Sequence, residues 1–332
     1  MKAWTPNRED WPPSFGRSWL WTMGAERAGH ERVISTAKAI GATDVIALLN
    51  DSPADQPNFG FRPNRELALE LGQKVRDAGL TWHLGSWLDP KEAYVREAAI
   101  ELASLAEESK AASVCIDAEG EWRKRISNHL EFVAQTVHPA FDGFPVPIGI
   151  TSFASLPKEV APLLAWAVEH HDGYGQPQAY AVWQGQAWQQ AASVQPDRIT
   201  NLAWRTWSPL TKRLVVLLAA FGDVHPGTTF SQGEWGGKRW TVASALEGSL
   251  LRAEYDGFPE FGLWSEEALR GTGKTAATRR EVLSEVNITG KSVAVDTGSL
   301  IAPVIAGTAV VGTAILTRRW WLPRLASLFG GR

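Results

Sequence analysis

A single cysteine, Cys115, stands in 332 residues. It excludes an internal disulfide framework and any cysteine-built zinc site. Charge of one sign is also scarce: 33 basic against 36 acidic residues give a net charge of −3. That balance argues against a partner held by a broad basic surface, so no nucleic acid is expected. The first ten residues carry charges but no apolar run, and no cleavable secretory leader is expected there. With 44% hydrophobic and 21% charged residues, collagen-like, coiled-coil and disordered readings fall away. Tyrosine is sparse too, with 4 against 17 tryptophans. Tryptophan at that density lines carbohydrate sites, but it equally fills cores.

Charge is absent altogether from 297–317, a run rich in Ala, Val, Ile, Gly and Thr. At about 1.5 Å per residue it has the length of a membrane-spanning helix. Arg318 and Arg319 follow, then Trp320 and Trp321, a pair suited to the boundary between hydrocarbon and head groups. The tail 318–332 holds four arginines and no acid; removing them from −3 leaves the rest at −7. The expectation is a single C-terminal transmembrane helix in the lipid bilayer, with a buried core segment as the alternative. Gly298, Ala302 and Ala306 form a small-residue stripe through which such helices could pair as a homo-oligomer. Positive-inside counting favours the tail in the cytoplasm and the large domain outside, periplasmic or carried on a virion, but without a leader that route needs unusual export or late insertion, so both orientations stay open.

Between the ends, short β-like runs alternate with helical patterns, the signature of parallel α/β architecture. Strands are expected at 17–22, 43–49, 80–87, 113–116, 146–151, 174–182, 227–231 and 260–264. Helices are expected at 26–40, 64–78, 90–110 (capped by Asp89), 121–136, 157–170, 209–221 and 242–255. Eight such units over about 250 residues fit a (β/α)8 TIM-like barrel better than an open doubly wound sheet. The organisation is then an extended arm 1–16, a barrel 17–271, a linker 272–296, the membrane helix 297–317 and a basic tail 318–332.

In a barrel of this kind the chemistry sits where strands end. The fourth strand runs out at Asp117-Ala118-Glu119. Residues two apart on a strand share a side, so two carboxylates would stand about 6–7 Å apart. Close carboxylates in a dry site repel, and one can keep its proton and act as a general acid. Glycosidic cleavage needs that proton on the leaving oxygen. The competing reading has Asp117 capping the next helix and Glu119 solvated in its first turn. The sixth strand supplies Gln176, Gln178 and Tyr180, amide and phenol groups suited to sugar hydroxyls or an acetamido group. Trp264 at the eighth exit would floor a sugar subsite unless it is core. Trp87 and Trp122 are weaker candidates of the same kind, and Asn50, with Asp51, after the second strand is a candidate for polar contacts, with a turn role as the alternative.

Asp117-x-Glu119, Gln178-x-Tyr180 and Gly262-x-Trp264-Ser265 resemble the catalytic landmarks of family 18 glycoside hydrolases, the chitinase group. The Asp-x-Glu ending is similar also to the family 25 muramidases. The chitinase resemblance implies that Glu119 is the acid, Asp117 orients the substrate acetamido group, Tyr180 supports it and Trp264 lies beneath the sugar. It implies a polysaccharide substrate and no cofactor. Ser113 and Cys115 stand where the fuller chitinase motif has further aspartates, and the first strand lacks the muramidase Asp. Two functions follow. One is a membrane-anchored glycosidase cleaving a β-linked amino-sugar polymer, peptidoglycan first, in phage lysis or entry. The other is a non-catalytic glycan-binding or structural component of a membrane-associated assembly.

Other motifs carry less. Gly271-Thr272-Gly273-Lys274-Thr275 looks like the end of a phosphate-binding loop, but Ala268 occupies the position of its first glycine. His170-His171-Asp172 sits at an expected helix C-terminus, where imidazoles favour the dipole, and no metal site is expected. Ser152 and Ser155 lack a nucleophile elbow. No assigned strand end carries the lysine that a lyase or aldolase would use.

Overall fold

The computed structural model describes residues 12–23, 29–50, 63–180, 196–219, 233–235, 238–240, 242–269 and 274–290. Eight parallel strands close into a barrel in sequence order. They are β1 (Arg17–Thr22), β2 (Asp44–Leu48), β3 (Thr81–Trp87), β4 (Val114–Asp117), β5 (Ile148–Phe153), β6 (Tyr174–Gln178), β7 (Val215–Ala219) and β8 (Glu260–Trp264). Pairing of Glu260 with Arg17, and of Leu263 with Leu20, makes the seam between last and first strands. Helices such as Arg65–Asp77 and Glu92–Ser109 lie between successive strands in the chain. Strands such as β2 and β7 read as near-continuous apolar runs because both faces are covered, the outer one by helices.

Local signals explain the element ends. Asn64 caps the helix Arg65–Asp77, its side chain accepting from the Leu67 amide at 3.0 Å. Gly79 then turns the chain at φ +77°.

The interior is layered. Trp19, His83 and Tyr174 pack together at the end where strands begin, with Trp19 stacked on His83 at 4.1 Å and tilted on Tyr174 at 5.5 Å. Above them lie Trp21, Cys115 and Leu217 in the same buried cluster. Two glycines make room for these aromatics. A Cβ at Gly85 would come within 2.7 Å of the Trp21 ring, and one at Gly149 within 2.3 Å of the Tyr174 ring. Much of the tryptophan excess is therefore core: Trp21, Trp82, Trp122, Trp166 and Trp207 are all wholly buried.

The structure corrects several expectations. The helix expected at 209–221 is not formed by residues 209–219: Val215–Ala219 is the seventh strand, and Pro196–Trp207 is the helix before it. Five apolar residues, two of them β-branched, suit a strand buried on both faces. The strand expected at 227–231 lies outside the described residues. The helix after β3 starts at Glu92 with Lys91 at its cap, because Asp89 is engaged by Lys91 and Arg125 instead. The helix expected at 121–136 is broken into Gly120–Arg125, His129–Phe132, a π-helical turn Val133–Val137 and His138–Ala140.

The stretch expected as a linker contains a helix, Lys274–Ser284, followed by Asn287–Ile288, which pairs in parallel with Ser14–Phe15 of the expected arm. Among the described residues no helix is long and apolar enough to cross a membrane. Residues 297–317 and the tail 318–332 lie outside the described residues.

Candidate active site at the barrel mouth

The Asp117-Ala118-Glu119 segment is held on both sides where β4 ends. The Ala118 amide donates to the Thr151 carbonyl at 2.9 Å, and the Ser152 hydroxyl donates to the Ala118 carbonyl at 2.5 Å. Asp117 does not cap the following helix. Glu119 occupies that cap position, and its side chain makes no capping bond. Both carboxylates are therefore available to the mouth, and the capping alternative is set aside.

They meet at one amide. Gln178 Nε2 donates to Glu119 Oε1 at 3.1 Å and to Asp117 Oδ1 at 3.3 Å, with Thr151 Oγ1 at 3.5 Å. Thr151 is fixed in turn by donating to the Gln176 carbonyl at 2.8 Å. Burial, then the Glu119 charge and then Glu121, drive the Asp117 carboxyl well above the usual carboxylate range. Burial also raises Glu119, against the lowering effect of the Gln178 hydrogen bond. Beneath Asp117 on β4 sits the buried Cys115 thiol, itself pushed up by burial. The strand position beneath Asp117 thus carries a thiol and not a carboxylate.

Tyr180 is buried and faces this pair. Burial raises its phenol well above 10, and the Asp117 and Glu119 charges add to the effect. Trp264 is half-buried against the cluster that contains Tyr180, with its ring 5.3 Å from Trp21. Acid pair, phenol and indole thus share the end of the barrel where strands finish.

Other candidates fall elsewhere. Gln176 lies one layer deeper and fully buried; its Oε1 accepts from Trp21 Nε1 at 3.1 Å. Its Nε2 has no hydrogen-bond partner among the described residues. Asn50 is occupied by scaffold: its amide donates to the Trp87 carbonyl at 2.9 Å and the Tyr94 hydroxyl at 3.0 Å, and its oxygen accepts from Ser86 at 2.9 Å. Trp87 is buried edge-on against Tyr94. Trp122 is fully buried, its indole donating to the Leu88 carbonyl at 2.8 Å. All three side chains are taken up by contacts with the scaffold, and Asp51 lies outside the described residues.

Sequence reasoning did not single out Thr151 or Trp21. Both lie on the inward parity of strands already assigned, which is the signal that points to them. It also gave Gln178 a sugar to hold, whereas the structure gives it the two carboxylates. Gln178→Leu removes the shared donor, so Glu119 should bind its proton more tightly. If the site is hydrolytic, the alkaline limb of the pH–rate profile should move to higher pH. An unmoved limb would show that the amide does not set the acid.

No family model matches the sequence, and no curated protein matches it. In three dimensions the chain is similar to the spore cortex-lytic enzyme SleL of Bacillus megaterium QM B1551. The TM-score is 0.53 at 8% identity, over 84% of this chain and 76% of that one. It is similar also to a chitinase from Bacteroides thetaiotaomicron, with TM-score 0.52 and 11% identity over 81% and 96% of the two chains. A chitinase from Chromobacterium violaceum ATCC 12472 gives 0.50 and 13% over 81% and 99%. At such identities the likeness is one of fold alone: a (β/α)8 barrel.

Proposed function

We propose that this chain is a glycoside hydrolase that cleaves a β-linked amino-sugar polymer, with peptidoglycan as the first substrate to try. The observation that carries the reading is the Gln178 amide shared by Asp117 and Glu119 at the strand exits. Glu119, raised by burial, holds a proton for the leaving glycosidic oxygen. Asp117, more deeply buried, is given the role of orienting the acetamido group of the sugar on the scissile bond in this reading. The Tyr180 hydroxyl supports the same group, and Trp264 offers an apolar face to a sugar ring. The neighbours in fold are named as chitinases and as a cortex-lytic enzyme, which supports an amino-sugar glycan as substrate.

The test is turnover: purified protein is incubated with peptidoglycan and with chitin, and new reducing ends are followed with mass analysis of the fragments. Release from either polymer supports the reading, and release from peptidoglycan fixes the substrate. Saturable oligosaccharide binding without new ends would favour a binding module, the alternative that Ser113 and Cys115 keep in view.

The same proposal includes membrane attachment through 297–317, in the setting of a phage lysis or entry protein. The chargeless run followed by paired Arg and Trp supports it. Full-length protein is expected in the membrane fraction after carbonate washing, and a chain ending at residue 296 in the supernatant. Equal partition of the two would remove the anchor from the proposal.

A further inference from the structure

We infer that Gln176 and Trp21, both fully buried beneath the mouth, are positioning residues for Trp264 and so set how tightly a sugar ring is held there. The inference rests on the proposed reading of Trp264 as a sugar platform.

A buried amide costs free energy unless both of its ends are bonded. Gln176 Nε2 has no partner among the described residues, so glutamine is a costly choice here where leucine would not be. What the side chain contributes is its oxygen. Oε1 accepts from Trp21 Nε1 at 3.1 Å and has the Cys115 thiol at 3.6 Å. An indole nitrogen only donates, so the oxygen must face Trp21 and the amide cannot turn over.

The Trp21 indole reaches from β3 to β6. One edge lies over Gly85, where a Cβ would stand 2.7 Å from Trp21 Cζ3 and 3.1 Å from Cη2. The nitrogen end is tied to Gln176. Held at both edges, the ring has one orientation, and Trp264 leans on it with centroids 5.3 Å apart and planes inclined at 54°. The strength of such a pair depends on ring geometry as well as on buried area. Trp264 is half-buried, and its exposed part is the apolar face offered to a sugar. The acid pair is linked to Gln176 by a different route. Thr151 donates to the Gln176 carbonyl, a backbone group that a change of side chain leaves in place. Loss of the Gln176 amide should therefore loosen the platform and spare the acid.

The test is Gln176→Leu in the full-length protein, read by indole N–H resonances and by kinetics on a soluble β-linked N-acetylglucosamine tetramer. The Trp264 resonance, identified by its loss in Trp264→Phe, should shift together with that of Trp21. KM should rise about fivefold to tenfold, with kcat changed by less than about twofold. Gln176→Glu, which burial keeps protonated, offers Trp21 the same acceptor and should restore both readouts. Trp21→Phe removes the donor and should reproduce the effect of Gln176→Leu, which keeps the test open where one variant does not fold. A Trp264 resonance that stays in place while the melting temperature falls would mean core packing alone and overturns the inference. A loss in kcat at unchanged KM overturns it as well. Absence of turnover in the wild type is a different failure: it removes the glycosidase reading, while the Trp264 resonance still decides whether Gln176 sets that ring.

Discussion

Glu119→Gln should lower turnover of the glycan about a thousandfold or more, because glutamine cannot release a proton to the leaving oxygen. The same substitution should raise the melting temperature at pH 7. Burial lifts the Glu119 pKa in the fold above its value in the unfolded chain. Between those two values the folded state holds more protons, so its stability falls as pH rises through the folded pKa. Gln carries no such cost, and the gain should shrink as pH drops below about 4.3, the ordinary glutamate value. Wild-type activity should fall on the alkaline side as the acid loses its proton. A variant that is inactive yet more stable at neutral pH separates lost chemistry from lost folding. Retained turnover would end the assignment of Glu119.

A large loss of stability should come from adding one methyl group inside the barrel. An alanine Cβ at position 149 would lie 2.3 Å from Tyr174 Cζ and 2.7 Å from its hydroxyl. That ring cannot easily retreat: it bonds Ser113 and packs on Trp19. Gly149→Ala should therefore cost about 3 kcal/mol, read as a drop of about 6–12 °C in melting temperature. Tyr174→Leu costs stability alone, but in the Gly149→Ala background it should cost much less, since the clash is gone. The interaction term of that double-mutant cycle should exceed about 1 kcal/mol. Additive losses would mean that the glycine serves the strand backbone and not the ring.

The eight-unit barrel was legible because most strands are bounded by clear stops such as Gly79, and because apolar runs recur at regular spacing. Val215–Ala219 escaped because a short run apolar on every side has no periodicity to separate strand from helix. Lys212 and Arg213 before it lent the stretch a helical, amphipathic look. At the mouth, Asp117 and Glu119 were legible because they are neighbours in sequence on one strand end. The shared amide was not, since Gln178 meets them only when β4 and β6 are brought together around β5. Trp122 and Asn50 show the converse limit. Proximity to a strand exit says where a residue is but not what its side chain bonds, and both are spent on the scaffold.

Ser14–Phe15 lies beside Asn287–Ile288, and Thr289 donates its amide to the Phe15 carbonyl at 2.9 Å. The barrel thus begins and finishes at one place on its surface, like a ring with a clasp. Cutting the polypeptide at a helix–strand turn such as Gly79 and joining 290 to 12 through a short spacer would preserve every strand pairing. A circular permutant of that kind should keep the architecture, and it would move the chain's free ends to any chosen side of the cylinder.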